Sequence, residues 1–248
     1  SVLEGEVDLS NLDNQATLNM QKLYQIKDLL TEVKTFVEQV YLPDVAAIGA
    51  MYAPWLGYGA GVTNYLAVPD MPLDTKGTQF DLPGGTIFNA DLGTLKKIES
   101  FDDPYFRDNV AESIAHSWYD GDWSRHPWEE DTVPAYSEYD YNGRYSWVKA
   151  PRFDGKPMQV GPLSQVLVGF ASGHEPTVRW AKWMLSTAGA VAGANLGPAV
   201  LHSTLGRHAA RAIRCAVLAE LALKHWDLLV ANIASGDTDI FTPFDFPA

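Results

Sequence analysis

A chain of 248 residues, 46% of them hydrophobic, is long enough to bury a full core as one large domain. Its 18 basic residues stand against 31 acidic ones, and a net charge of −13 argues against nucleic acid as a partner and against docking on an anionic membrane surface. Cys215 is the one cysteine, which excludes an internal disulfide framework and any metal site built on cysteine pairs.

Residues 1–15 carry no period and read as a surface lead-in, and residues 1–20 are too acidic and polar for a secretory signal. Ser1 and Ala248 read as the ends of a piece cut from something longer. No run of 18 apolar residues occurs, so no segment is expected to span a bilayer. From Leu18 the pattern turns helical, with Leu23, Ile26, Leu30, Val33, Phe36 or Val37, and Val40 expected on the inner face and Asn14 or Thr17 as cap. Pro43 is expected to interrupt. A second helix, Asp44 to Trp55, then presents a slim face of Ala46, Ala47 and Ile48.

Residues 56–92 are punctuated by Gly and Pro and predict short strands such as Tyr65–Val68 and Thr86–Asn89. The GYGAG stretch at 57–61 lacks the Lys-Ser/Thr pair of a phosphate loop and reads as a plain turn. Leu95–Ile98 predicts one more strand. Asp102 or Asp103 before Pro104 starts a helix expected to run to Ile114.

A loop, His116 to Arg152, follows with nine aromatic side chains, four of them tryptophans. A loop this long must be pinned by its own side chains. Its end, Tyr145–Phe153, alternates like a strand, and a turn follows at 155–157. Helices are expected over Pro162–Ser172 and Glu175–Ala188, joined by an Ala/Gly connection (188–199) to a long helix, Thr204–Ala234, capped by Ser203 and closed at Gly236. Its inner side is read as Ile213, Val217, Glu220–Leu221 and Leu228. Cys215, among Ala, Val, Ile and Leu, is expected to be a buried, inert thiol. No linker divides the chain, so residues 1–248 are read as a single domain, mainly α with a small β component (α+β).

Three constellations carry candidate chemistry. His116 and His126, with Asp120, Asp122, Glu129, Glu130 and Asp131 near them, offer imidazole and carboxylate donors to a divalent metal. Their spacing fits no defined motif, and the plainer reading is that each histidine ties the loop down through backbone hydrogen bonds. Glu129, Glu130 and Asp131 beside Trp123 and Trp128 have the residue types of a sugar-cleaving site. Neighbours in sequence rarely flank one substrate, which favours a solvated acidic turn. Arg207, Arg211 and Arg214 form one basic stripe near the start of the last helix, where the macrodipole disfavours cations. An ion-pair network is the expected reason, a ligand anion the sharper alternative. There is no GxSxG to anchor Ser/His/Asp catalysis and no GxGxxG after a strand.

Four segments carry a family resemblance: TFVEQVYLPDVAAI (35–48), HSWYDGDWSRHPWEEDTVPAY (116–136), YSWVKAPRFDGKPMQVGPLSQVLV (145–168) and STLGRHAARAI (203–213). In this order and spacing they resemble the middle of the large subunit of nickel-iron hydrogenases. The resemblance implies a long-helix bundle scaffold. It implies a nickel-iron centre with carbonyl and cyanide ligands in the complete enzyme, which cleaves dihydrogen into protons and electrons. It also implies a small partner subunit holding iron–sulfur clusters.

The family's four metal-binding cysteines lie in two CxxC pairs, and none is present here. No residue of this chain is therefore assigned as a nickel, iron or other cofactor ligand. The expected partners are the cysteine-bearing remainder of the large subunit and the small subunit. His116, His126 and Arg207 are carried forward as functionally sensitive positions, and the histidines as contributors to proton traffic. The resemblance implies a periplasmic location, or association with a membrane through partners, rather than a free cytoplasmic one. Two other readings stay open: a metal-free structural or interaction paralogue, and an acidic, Trp-rich carbohydrate-active enzyme.

Overall fold

The computed structural model describes residues 18–74, 76–127, 129 and 132–237. They fall into two compact units, one of residues 46–214 and one combining residues up to 45 with those from 215 onward.

The smaller unit is built on helix α1, Met20–Phe36, and the later part of α6, Thr204–Ala234. Asn19 caps α1, its side chain accepting from the Lys22 N–H at 2.9 Å. Asn14 and Thr17, the expected caps, lie outside the described residues, as do residues 1–15. Leu18, Leu23 and Ile233 form a core with Ile26, Trp226, Leu229 and Val230 packed against it. The Trp226 indole N–H donates to the Leu23 carbonyl at 2.9 Å, and the Lys27 ammonium stands 4.1 Å from that ring's centroid. The expected inner face of α1 is only partly correct. Leu23 and Val37 are buried, but Val33, Phe36 and Val40 are 54%, 56% and 43% exposed.

Pro43 does not interrupt the helix. The chain passes from α1 through a π-turn, Val37–Tyr41, straight into α2, Leu42–Met51. The Leu42 N–H reaches back to the Val37 carbonyl. A π-turn accommodates one extra residue, which is how a helix absorbs a proline that has no N–H to give. At the other end of the unit α6 closes at Gly236, whose φ of +92° supplies the left-handed stop. Two expectations for α6 are corrected here. Cys215 is exposed, because it falls between the buried positions Ile213 and Val217 and points away from them. Leu228 is also exposed, one position off the Trp226–Leu229 contact face.

The larger unit contains the β structure. Strands β1 (Tyr65–Ala67), β4 (Gly84–Phe88) and β5 (Asp91–Ile98) form an antiparallel sheet in the order β1-β4-β5. Strands β2 (Asp70–Pro72) and β3 (Phe80–Leu82) make a two-stranded ribbon. Helix α4, Pro162–Ala171, lies on the first sheet and buries Leu163, Val166, Leu167 and Val168. Helix α5, Glu175–Ala192, packs on α4 and buries Thr177, Ala181, Met184 and Leu185. α5 runs four residues past its expected end, because alanine holds the helix until Gly193 stops it in the left-handed region at φ +65°. A short 3-10 turn, Pro198–Leu201, then leads to α6, which starts where expected, with Ser203 Oγ accepting from the Gly206 N–H at 2.9 Å.

The helix expected over Pro104–Ile114 is a single turn, α3 (Pro104–Arg107), opened by Asp103 accepting from the Tyr105 N–H. Val110–Ser113 is instead strand β6, central between β7 (Ser124–Arg125) and β8 (Ala150–Phe153). Pairing with chain about 40 residues away overrides local helix propensity there. The strand expected over Tyr145–Phe153 keeps only its last four residues for the same reason: β6 has no partner for 145–149. The α+β class stands, with helices and antiparallel sheets as separate elements.

Candidate functional site

The stretch from His116 to Arg152 is irregular and heavily cross-tied. Trp118 packs edge-on against Tyr136 and Trp147, with centroids 5.1 and 5.2 Å away. Tyr119 meets Trp147 at 5.9 Å and donates from its hydroxyl to the Trp147 carbonyl at 2.9 Å. The Arg144 guanidinium reaches across the loop to the carbonyls of Tyr119 and Gly121. Ser117 Oγ donates to the Val148 carbonyl at 2.6 Å. Lys149 is the hub. It is 16% exposed, pairs with Glu112 at 3.0 Å, donates to Thr132 Oγ1 at 2.8 Å and faces the rings of Tyr119 and Trp123. One side of the loop stays open, with Tyr136, Tyr139, Tyr141 and Val148 exposed.

His116 is exposed. Its Nδ1 meets the Gly143 carbonyl at 2.6 Å, and its ring stacks on Tyr145 at 5.2 Å. That is the backbone-tying role read from the sequence. The backbone carbonyl of His126 accepts from the Glu129 N–H at 3.0 Å. Trp128, Glu130 and Asp131 lie outside the described residues. Among the described residues no group of three or more His, Cys, Asp or Glu is placed to hold a metal ion.

Arg207 sits at the start of α6 and makes a different site. Its guanidinium donates to the carbonyls of Gly59 and Ala60, the latter at 2.8 Å, and to Gln159 Oε1 at 2.9 Å. Gln159 in turn donates from Nε2 to the Ala60 and Val62 carbonyls. Its backbone joins the edge of β1 through Leu66 N–H to Gln159 O at 2.9 Å. The 57–61 turn is thus clamped against α6. Gly59 (φ +74°) leaves no room for a side chain, since a Cβ there would lie 2.1 Å from Thr204 Oγ1. The expected carboxylate network is therefore corrected for Arg207, whose guanidinium bonds to carbonyl and amide oxygens. It holds for Arg214, which pairs with Asp70 at 3.3 Å. Arg211 donates to the Arg207 carbonyl at 3.1 Å.

Beside the clamp, the buried Tyr65 hydroxyl meets His202 Nδ1 at 2.6 Å. Burial raises the Tyr65 phenol above its usual value, and the nearby Arg207 charge opposes that shift. Burial lowers the His202 imidazole below its usual value, which favours the neutral ring. Gln159, Tyr65, His202, Arg144 and Lys149 were not singled out from sequence. The side-chain partners described above lie 17 to 137 residues away in the chain, a separation over which no local pattern signals a pair.

The sequence as a whole matches the family described as nickel-dependent hydrogenase over residues 1–248. The chain belongs to the nickel-dependent hydrogenase family. It is 41% identical over 238 residues to the Hydrogenase-2 large chain of Escherichia coli K12, covering 96% of this chain and 42% of that one. It is 32% identical to the uptake hydrogenase large subunit of Rhodobacter capsulatus, covering 94% and 40%. Among solved structures, the [NiFeSe]-hydrogenase of Dm. baculatum matches with a TM-score of 0.66 at 26% identity, covering 85% of this chain and 40% of that one. The as-isolated oxidised Ni-Fe-Se hydrogenase of D. vulgaris Hildenborough gives 0.65 at 25%, covering 92% and 43%. The chain thus spans about two fifths of the length of these hydrogenase relatives.

A nickel-iron centre held by four thiolates does not fit the residues of this hydrogenase-family chain. Its single cysteine, Cys215, is exposed on α6 and is part of no metal-competent group among the described residues.

Proposed function

We propose that this chain is the scaffold and docking portion of the catalytic subunit of a nickel-iron hydrogenase, which reversibly oxidises dihydrogen to protons and electrons. The metal thiolates belong to the cysteine-bearing remainder of that subunit, and the electrons leave through iron–sulfur clusters of a small subunit. The family match over residues 1–248 carries this reading. The four segments of the sequence resemblance all fall within it. The two compact units are read as parts of one large-subunit scaffold.

The loop adds the docking half of the proposal. It is tied down by Arg144, Lys149 and the Trp118–Trp147 contact, while Tyr136, Tyr139, Tyr141 and Val148 are exposed. An aromatic face on a rigid support is the composition of an interface core. We assign it to the small subunit. Among the described residues no helix is long and apolar enough to cross a membrane. A periplasmic or membrane-associated location follows from the same reading.

Native mass spectrometry of the assembled enzyme with metal quantification tests the activity. A complex that contains this chain, a cysteine-bearing segment and stoichiometric nickel is the expected result. A nickel-free complex would instead establish the metal-free paralogue. For docking, Tyr141→Glu with Val148→Glu should reduce small-subunit recovery at least tenfold, since each buries a charge at the contact. Unchanged recovery would remove the loop from the interface.

A further inference from the structure

The larger unit carries a cleft of about 420 Å³ between the β4–β5 hairpin, α3 and the turn at 154–156. Its floor is aromatic. The Tyr105 ring is fixed by a 2.7 Å hydrogen bond between its hydroxyl and Thr86 Oγ1, and by edge contact with Phe153 at 5.2 Å. Thr86 and Phe153 are both buried, so this floor is rigid. The Lys96 ammonium stands 3.5 Å above the centroid of Tyr105, and among the described residues no carboxylate pairs with it. On the opposite wall Lys156 pairs with Asp154 at 2.5 Å and lies 5.4 Å from the centroid of Phe88. The walls are held by amides: Asn109 Nδ2 donates to the Tyr105 carbonyl at 2.8 Å, and Asn64 Oδ1 accepts from the Asn89 N–H at 3.2 Å. The Asn89 side chain has no hydrogen-bond partner among the described residues.

We propose that this cleft binds a small organic monocarboxylate with a flat apolar body. The ligand displaces the exposed Lys96 ammonium from the face of Tyr105: the flat body takes that face, and the carboxylate pairs with the displaced ammonium and with the exposed Asn89 amide. Two ammonium groups against one carboxylate leave the cleft a single net positive charge, enough for a monoanion. The volume is in the range of small-molecule sites. In a chain of net charge −13, anion capture requires such a local arrangement, because the overall field repels anions. Free carboxylates and the side-chain carboxylates of a neighbouring polypeptide share this chemistry; the proposal commits to the free one.

Benzoate titrated into the assembled enzyme, followed by saturation-transfer NMR and calorimetry, is the test. Benzoate should bind wild type, and its neutral isostere benzamide should bind at least about tenfold more weakly. Lys96→Gln should weaken benzoate about tenfold, and Lys96→Arg should recover most of that loss. Lys97→Gln is the control: it removes the same charge from the next residue of β5, on the opposite face of the strand. No benzoate binding to the assembled wild type overturns the proposal, including the case in which a polypeptide carboxylate already fills the cleft. Equal binding of benzamide, or equal losses for Lys96→Gln and Lys97→Gln, overturns it as well.

Discussion

Arg207 turns three chain segments into one joint, and its value rests on geometry rather than charge. The guanidinium makes four hydrogen bonds to two carbonyls and the Gln159 amide from three nitrogens spread over a planar fork, whereas an ammonium has three donors on one nitrogen. Arg207→Leu should therefore cost on the order of 3 kcal/mol, the sum of several hydrogen bonds to groups left partly desolvated. Arg207→Lys should recover less than half of it. Thermal unfolding of the full-length subunit measures both, and equal stability of the Leu variant would contradict the clamp. The neighbouring Tyr65–His202 pair sets a pH window. The folded-state pKa of His202 lies below its unfolded value, so the folded form binds fewer protons. That contribution is complete above an ordinary histidine pKa of about 6.5 and is lost as pH falls through it toward the depressed value. Tyr65 is shifted the other way, so its contribution is complete below about pH 10 and is lost as pH rises through the raised value. Tyr65→Phe should flatten the alkaline limb of a melting-temperature profile and leave the acid limb in place. Loss of the acid limb instead would assign it to another group.

At the scale of elements, what could be read in advance was what local chemistry decides. Ser203 and Gly236 bracket α6, and Pro162 and Pro176 open α4 and α5, because caps and prolines act within one turn. What could not be read was decided elsewhere in the chain. Val110–Ser113 is a strand only because Ala150–Phe153 arrives beside it, and α1 has apolar side chains on more of its circumference than one stripe can sort. The aromatic loop lies between these cases. Its need for internal pinning was legible from composition, but its hub, Lys149, was not, since the ammonium meets Glu112 from 37 residues away. Lys149→Met should leave the Glu112 carboxylate unpaired in a half-buried place, at a cost on the order of 2 kcal/mol. Hydrogen exchange should rise across 117–149 and stay constant in α4 and α5. Uniform change across the larger unit would mean that the loop is not an independent cooperative element.

For the whole molecule, family membership was legible because four separated segments keep one order, and chemistry was not, because the thiolates that define the centre are absent from the chain. The site candidates show the same division. His116 was found by its residue type and holds the loop, whereas the partners of Arg207 emerged only from the fold. The proposed function bears on the surface of α1 and the π-turn that follows it. Leu29, Val33, Phe36 and Val40 follow one another at spacings of four, three and four residues and are each 43% to 56% exposed. A continuous apolar row of this kind marks a contact surface rather than a solvated one. The chain covers about two fifths of its relatives' length, and on the proposed large-subunit reading the polypeptide that covers that row is the remainder of the subunit. In the full-length enzyme a photo-crosslinking residue at Val33 or Val40 should therefore join to a peptide of the same subunit that lies outside these 248 residues. A crosslink to the small subunit would place the row at the heterodimer interface, and a crosslink to a second large subunit at a homotypic one. Either result, or the absence of any crosslink, would refute burial by the large subunit's own remainder. Val33→Glu combined with Val40→Glu gives the energetic counterpart. Each buried, unpaired carboxylate costs several kcal/mol, so the pair should abolish recovery of soluble full-length subunit if the row is covered and leave it unchanged if it is not.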